Sequence, residues 1–330
     1  MIEIRSAFVS AGVMPVAAML NGVTFRLPAG RRLFRPFARA PWFGAAEAGT
    51  PGHLRWLGGE FVCLPFGVGG PLEEVAAEWR DCPVEAVNEP PHGPAADEAW
   101  SVVARGPDSV RLALDYPSGH PIRRLERRIT AAADGPRLDI ELIVESRVPT
   151  RTSLGLHPIL DLAVPDASLA VEARFGFGLT YPARVPGEGM ATAIGRSFEQ
   201  LCAVPAAGGG LLDLSRLPLG PPMEDVVQLC GVEGPVEIRS ASLGAGLRID
   251  WDRTLLPSCQ LWISDRALKA PPWNGRYRGL GIEPIASAFD FANACAVAAN
   301  PIAARGVNTA VAVTPDAPLH IRYRLEAFEM

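Results

Sequence analysis

Strict alternation of apolar and polar residues is the feature that most limits how this chain can fold. Over 138–144, Leu138, Ile140, Leu142 and Val144 alternate with Asp139 and Glu141. The same period of two runs through Val110, Leu112, Leu114 and Tyr116, and through Leu247, Ile249 and Trp251. It recurs in Ile321, Tyr323 and Leu325, interleaved with Arg322 and Arg324. A period of two sends alternate side chains to opposite faces of a strand, so each run offers one face to a core and one to water. Half-buried antiparallel strands carry that pattern. Turn signals such as Asp134-Gly135-Pro136, Gly208-Gly209-Gly210, Gly244-Ala245-Gly246 and Thr314-Pro315-Asp316 punctuate the runs.

Helical segments are few. Glu73 to Trp79 has room for two turns, and Ser287 to Val297 is alanine-rich. No regular strand–helix alternation argues for a doubly wound α/β fold, and no 20–50-residue repeat argues for a propeller or solenoid. No compositional break marks a second unit, so residues 1–330 are expected to form one large, mostly antiparallel β-sandwich with few short helices. Ser6 to Leu20 faintly resembles a secretion signal, but Glu3 weakens the positive start, and the stretch is read as a first strand.

The net charge of −5 and the lack of a basic stripe argue against a nucleic-acid partner. Lys269 is the only lysine, so 30 of the 31 basic residues are arginine, a bias that GC-rich codon usage accounts for. The six cysteines form no C-x-x-C pair, and no histidine stands at zinc-ligand spacing from them. They read as small buried apolar residues of a reducing compartment, with no metal site. No apolar run is long enough to cross a bilayer, so a cytoplasmic protein without a membrane partner is expected.

Four residues stand out chemically. His157, in Leu154-Gly155-Leu156-His157-Pro158, is held extended by the following proline. It is either a positioned acid at a strand end or a strand cap. His92 follows Pro90-Pro91 and precedes Gly93, where the backbone can approach a ligand closely, and Trp100 downstream could supply a stacking face. A surface loop is the other reading of that segment. Glu283 is a lone carboxylate in the apolar run Leu280 to Ile285. Burial there would raise its pKa toward the range useful to a general base, whereas a strand-end position would leave it in solvent. Asp225, at the start of the run Val226 to Leu229, is either a turn residue or a ligand contact.

Taken in order, these segments resemble the galactose mutarotase-like family, the aldose 1-epimerases. The resemblance includes Pro65-Phe66-Gly67, His92-Gly93, His157-Pro158, Met223-Glu224-Asp225, the strand Leu256 to Trp262, and Ile282-Glu283-Pro284. It implies a large antiparallel β-supersandwich and the interconversion of the anomers of a free sugar without a cofactor. Carried over residue by residue, it makes Glu283 the base that takes the anomeric hydroxyl proton and His157 the acid at the ring oxygen. The two are expected to grip a pyranose from opposite sides of a cleft. His92 and Asp225 would hold sugar hydroxyls, and Trp100 would face the ligand.

Two departures bear on the substrate. An arginine common after the Pro-Phe-Gly segment is absent, the run being Val68-Gly69-Gly70-Pro71. Asp97 and Glu98 stand where the hexose-phosphate branch carries an arginine, which argues for an unphosphorylated sugar. Arg151, near His157 in sequence, is the preferred replacement guanidinium, with Arg55 and Arg276 as further possibilities. The alternative is a sugar-binding protein that kept the cleft and lost catalysis. A monomer or homodimer is expected.

Overall fold

The computed structural model describes residues 1–27, 32–47, 49–83, 89–163, 169–185, 187 and 189–330. Two large sheets dominate it. A nine-stranded sheet runs in the spatial order 216–217, 169–172, 236–240, 245–251, 319–329, 137–146, 122–131, 109–115, 101–105. An eight-stranded sheet runs 197–198, 175–180, 223–232, 258–265, 278–286, 154–156, 62–63, with 159–161 also paired to 278–286. Strand pairing in both sheets is antiparallel. A four-stranded sheet of Ile2–Arg5, Val9–Val13, Leu20–Arg26 and Leu33–Phe34 adjoins them. The expected all-β antiparallel sandwich is what the chain forms.

The alternating runs behave as their pattern demands. Leu138, Ile140, Leu142 and Val144 enter the core between the sheets, as do Leu247, Ile249, Ile321 and Leu325. Arg322 and Arg324 stay outside and pair with Glu141 and Asp139 of the neighbouring strand. The main apolar cluster draws on residues from Ile4 to Ala327, and two smaller ones lie beside it. Burying one apolar side chain there contributes about 1.5–3 kcal/mol.

Local details differ from expectation. Ser6 to Leu20 holds Val9–Val13, a turn, and the start of Leu20–Arg26, because Ala17 and Ala18 adopt positive φ and reverse the chain. Of Glu73 to Trp79 only Ala77–Trp79 is helical, as a single 3₁₀ turn. Of Ser287 to Val297 only Asn293–Val297 is helical. Among the cysteines, Cys202 is exposed and the other five are buried. Among the described residues no helix is long and apolar enough to cross a membrane.

The eight-stranded sheet differs from its partner in one respect that creates the site. Strands Met223–Val232, Ser258–Asp265 and Arg278–Ala286 are buried almost throughout. One face supplies Met223, Val227, Leu229, Cys259, Leu261, Ile263, Leu280 and Ile282 to the core between the sheets. The other face lies under the loops that cover this side of the sandwich, and it carries Glu224, Gln260, Trp262 and Glu283.

Candidate active site

A cavity of about 320 Å³ lies between that second face and the covering loops. This is at the lower end of small-molecule sites, about 300–1,000 Å³. Glu283 points into it from the centre of Arg278–Ala286, fully buried. Its register partner on the next strand is Gln260, whose Nε2 donates to the Glu283 carboxyl at 2.9 Å. Gly281, two residues earlier on the same face, lies opposite Trp262. With no side chain there, both the carboxyl and the indole have room.

His157 occupies the break between strands Leu154–Leu156 and Ile159–Asp161. Its N–H donates to the Phe61 carbonyl at 2.9 Å, and the Pro158 carbonyl accepts from Ile282 N–H at 2.9 Å. Proline thus leaves a carbonyl that ties the His157 segment to the Glu283 strand. The imidazole stacks on Phe61, centroids 4.5 Å apart and planes 19° apart. Its Nε2 stands 3.3 Å from Oε1 of Glu283. The two groups therefore sit side by side in one wall, not on opposite sides of a cleft, because both belong to adjacent paired segments of the same sheet.

His92 reaches the cavity from the loop over it. It has φ 65° and heads the short helix Gly93–Asp97. Backbone bonds from His92 N–H to the Gly67 carbonyl and from Leu64 N–H to the His92 carbonyl hold it there. A Cβ on Gly93 would overlap the Leu64 carbonyl, so that position requires glycine. The His92 ring stands edge-on to His157 at 5.3 Å and to His53 at 5.4 Å.

Burial dominates the electrostatics. It drives the pKa of His157 down to about 3 and that of His53 down to about 4, and it lowers that of His92 as well. Burial, reinforced by Asp290, pushes the Glu283 carboxyl well above the ordinary range. Glu224 is raised to about 8, again chiefly by burial. Burial disfavours every charged form. Burial thus favours a neutral imidazole on His157 and a protonated carboxyl on Glu283.

Three of the other expected contacts lie elsewhere. Asp225 is fully buried and points to the opposite face of its strand, where it accepts from the N–H groups of Ala191 and Thr192 and from the Thr192 hydroxyl. Its neighbour Glu224 lines the cavity instead and accepts from the Trp262 indole N–H at 2.7 Å. The alternation Met223, Val227, Leu229 on the core face assigns Asp225 to that face, a signal obscured because Val226 is apolar too. Trp100 is buried in the core between the sheets, its indole donating to the Ala95 carbonyl. Arg151 is exposed and reaches the Val297 carbonyl. Neither Arg55 nor Arg276 lines the cavity, and Val68 does. Among the described residues the cavity has no guanidinium. His53, Glu224, Gln260, Trp262, Trp273 and Asp290 line it, none with a role assigned from sequence. Strand alternation through 258–262 places Gln260 and Trp262 together, but His53 arrives on the single helical turn Gly52–Arg55 and Asp290 on a turn after Arg278–Ala286, with no local signal. Among the described residues no cluster of three or more metal-ligating side chains is arranged to hold an ion.

No protein-family model matches the chain, and no curated protein matches it in sequence. Solved structures do match. A galactose mutarotase-like protein from Lactobacillus casei is 14% identical with a TM-score of 0.62, covering 99% of this chain and 99% of that one. A GalM/aldose epimerase homologue from C. elegans is 15% identical with a TM-score of 0.62, covering 100% of this chain and 98% of that one. A galactose mutarotase-like protein from Clostridium acetobutylicum is 13% identical with a TM-score of 0.58, over 99% and 95%. The likeness spans essentially whole chains at low identity, and so it is a likeness of fold: this chain has the antiparallel β-sandwich fold of the galactose mutarotase-like and aldose epimerase proteins.

Proposed function

We propose that the protein is an aldose 1-epimerase acting on an unphosphorylated sugar, with Glu283 as base and His157 as acid. The observation that carries this reading is the 3.3 Å approach of His157 Nε2 to Glu283 Oε1 in the wall of a partly open cavity of monosaccharide scale. The anomeric hydroxyl and the ring oxygen are bonded to the same carbon. An acid and a base side by side therefore match them better than two groups facing each other across the ring.

The reaction needs only proton transfers. In the ionic form of the pair, Glu283 takes the proton of the anomeric hydroxyl while His157 gives one to the ring oxygen. The C1–O5 bond breaks, a C1 carbonyl forms, and the pair is left with a protonated carboxyl and a neutral imidazole. After rotation about C1–C2, His157 takes back the O5 proton, O5 attacks the other face of the carbonyl, and Glu283 protonates the carbonyl oxygen. The two states differ only in which group holds one proton. Burial stabilises the neutral state, and polar contacts with the bound ring stabilise the ionic one. His92 and Gln260, which line the same cavity, would hold hydroxyls beside the reacting carbon. The lack of a cation in the cavity supports an unphosphorylated substrate, since a buried phosphate requires one.

Val68, where the arginine was expected, favours a second reading: a sugar-binding protein without turnover. Polarimetry of freshly dissolved aldoses separates the two. The enzyme reading expects faster anomer exchange than buffer, reduced about 10²- to 10⁴-fold in Glu283→Gln and His157→Asn. Exchange at the buffer rate across the panel, with sugar binding retained by calorimetry, selects the binding protein.

A further inference from the structure

Backbone sets the place of the His92 ring. Its Nδ1 is buried without a hydrogen-bond partner, and its ring contacts are Phe61, Phe66, His53 and His157. The backbone itself is demanding. Its φ of 65° lies in the left-handed region, in a tight turn closed by Gly93 N–H on the Pro90 carbonyl at 2.8 Å. A residue other than glycine keeps that conformation only where its surroundings hold it. On the cavity side the bonds to Gly67 and Leu64 do so. On the other side His92 continues into the arm Glu89-Pro90-Pro91, which is stiff because two successive prolines fix φ.

The start of that arm meets the nine-stranded sheet. Nε2 of His120 stands 3.0 Å from Oε1 of Glu89. His120 lies in the turn between Ser109–Asp115 and Ile122–Ala131, and its Nδ1 accepts from Ile122 N–H at 3.0 Å. In a neutral imidazole the nitrogen that accepts carries no hydrogen, so the ring hydrogen lies on Nε2, the atom beside the carboxylate. Arg147 fastens the turn by donating to the carbonyls of Tyr116, His120 and Ile122. Tyr116 packs against the His120 ring at 4.6 Å and donates to the Leu64 carbonyl at 2.7 Å. Leu64 N–H in turn holds the His92 carbonyl. One turn of the nine-stranded sheet thus grips the His92 segment at two points. Resting on the epimerase reading above, we propose that Glu89 and His120 are positioning residues. Their contact anchors the proline arm and so aims the His92 ring at a sugar bound over Glu283 and His157.

The test uses substitutions at two residues that do not line the cavity. His120→Asn keeps an acceptor for Ile122 N–H and removes Nε2, Glu89→Ala removes the carboxylate, and His120→Gln restores a side-chain N–H toward it. The probe is whichever aldose of the polarimetry panel the wild type binds best. Exchange is read by polarimetry, affinity by calorimetry and stability by urea melts. His120→Asn and Glu89→Ala are each expected to raise KM and Kd about three- to tenfold, the worth of one hydrogen bond to a sugar hydroxyl. The value of kcat should stay within about twofold, as when uniform binding is lost, and His120→Gln should recover most of the affinity. In a His92→Ala background neither substitution should change KM or Kd further, because the ring they aim is gone. Wild-type KM and Kd in both variants, or equal losses with and without the His92 ring, overturn the inference and leave the epimerase reading intact. Sugar binding without exchange removes the epimerase reading, and the same comparison on Kd then decides the inference. A wild type that binds no aldose overturns both.

Discussion

Gly281 and Glu283 share one face of the strand Arg278–Ala286, and a Cβ on Gly281 would overlap Oε1 of Glu283. The same Cβ would stand 3.1 Å from Cβ of Trp262. The position of the carboxyl thus depends on a missing side chain two residues away. Gly281→Ala is expected to push the carboxyl off His157 and to slow anomer exchange by about 10- to 100-fold, since a displacement near 1 Å can cost that much. Polarimetry gives the rate, and a urea melt shows whether the fold persists. Full activity in Gly281→Ala would show that the reaction does not use this placement of Glu283.

Glu224 makes stability depend on pH in a definite sense. Its pKa rises from about 4.5 unfolded to about 8 in the fold. Between those values the folded state holds a proton that the unfolded state has lost, so stability falls as pH rises through that window. Glu283 and Asp290, also raised by burial, act in the same direction. Glu224→Gln should flatten the decline from pH 5 to 8 by on the order of a few kcal/mol, read from urea midpoints at each pH. A decline unchanged by the substitution would place the effect on other groups.

His53 works in the opposite sense. Its pKa falls from 6.5 to about 4 on burial against Phe61 and His92. Below pH 6.5 the unfolded chain binds a proton that the fold refuses, so stability is lost as pH falls toward 4. His157, lowered to about 3, extends the loss further. His53→Gln should therefore melt at a temperature that varies less between pH 6.5 and 4 than the wild type does. An identical acid limb would count against burial of the neutral ring.

Arg127 is the most exposed to damage of the core positions. It is fully buried, paired with Glu60, and donates to Tyr323 Oη at 2.6 Å and to the Ala18 carbonyl. Tyr323 in turn donates to Glu60 at 2.9 Å. Removing one member of a buried ion pair leaves the other uncompensated, at about 3–5 kcal/mol. Arg127→Met is expected to lose that much in chemical denaturation, and the double variant with Glu60→Gln to recover a substantial part. Glu60 precedes Phe61, on which His157 stacks, so exchange rates should drop alongside stability.

The legible part of this protein was local. Alternation through 138–144, 247–251 and 321–325 dictates strands with one wet face, because neighbouring side chains in extended backbone point apart whatever the rest of the chain does. Short motifs marked out His92, His157 and Glu283, and all three line one cavity. Only the tertiary structure decided which face of a strand looks into that cavity. In Met223–Val232 both faces are buried, so burial no longer distinguishes them, and a shift of one residue exchanges Asp225 for Glu224. Likewise His53 and Asp290 arrive from chain segments 237 positions apart. Trp100 is turned into the core between the sheets, and Arg151, on the short strand Thr150–Thr152, is turned to the surface. Side-chain alternation is a property of one strand, whereas a cavity belongs to the packing of many.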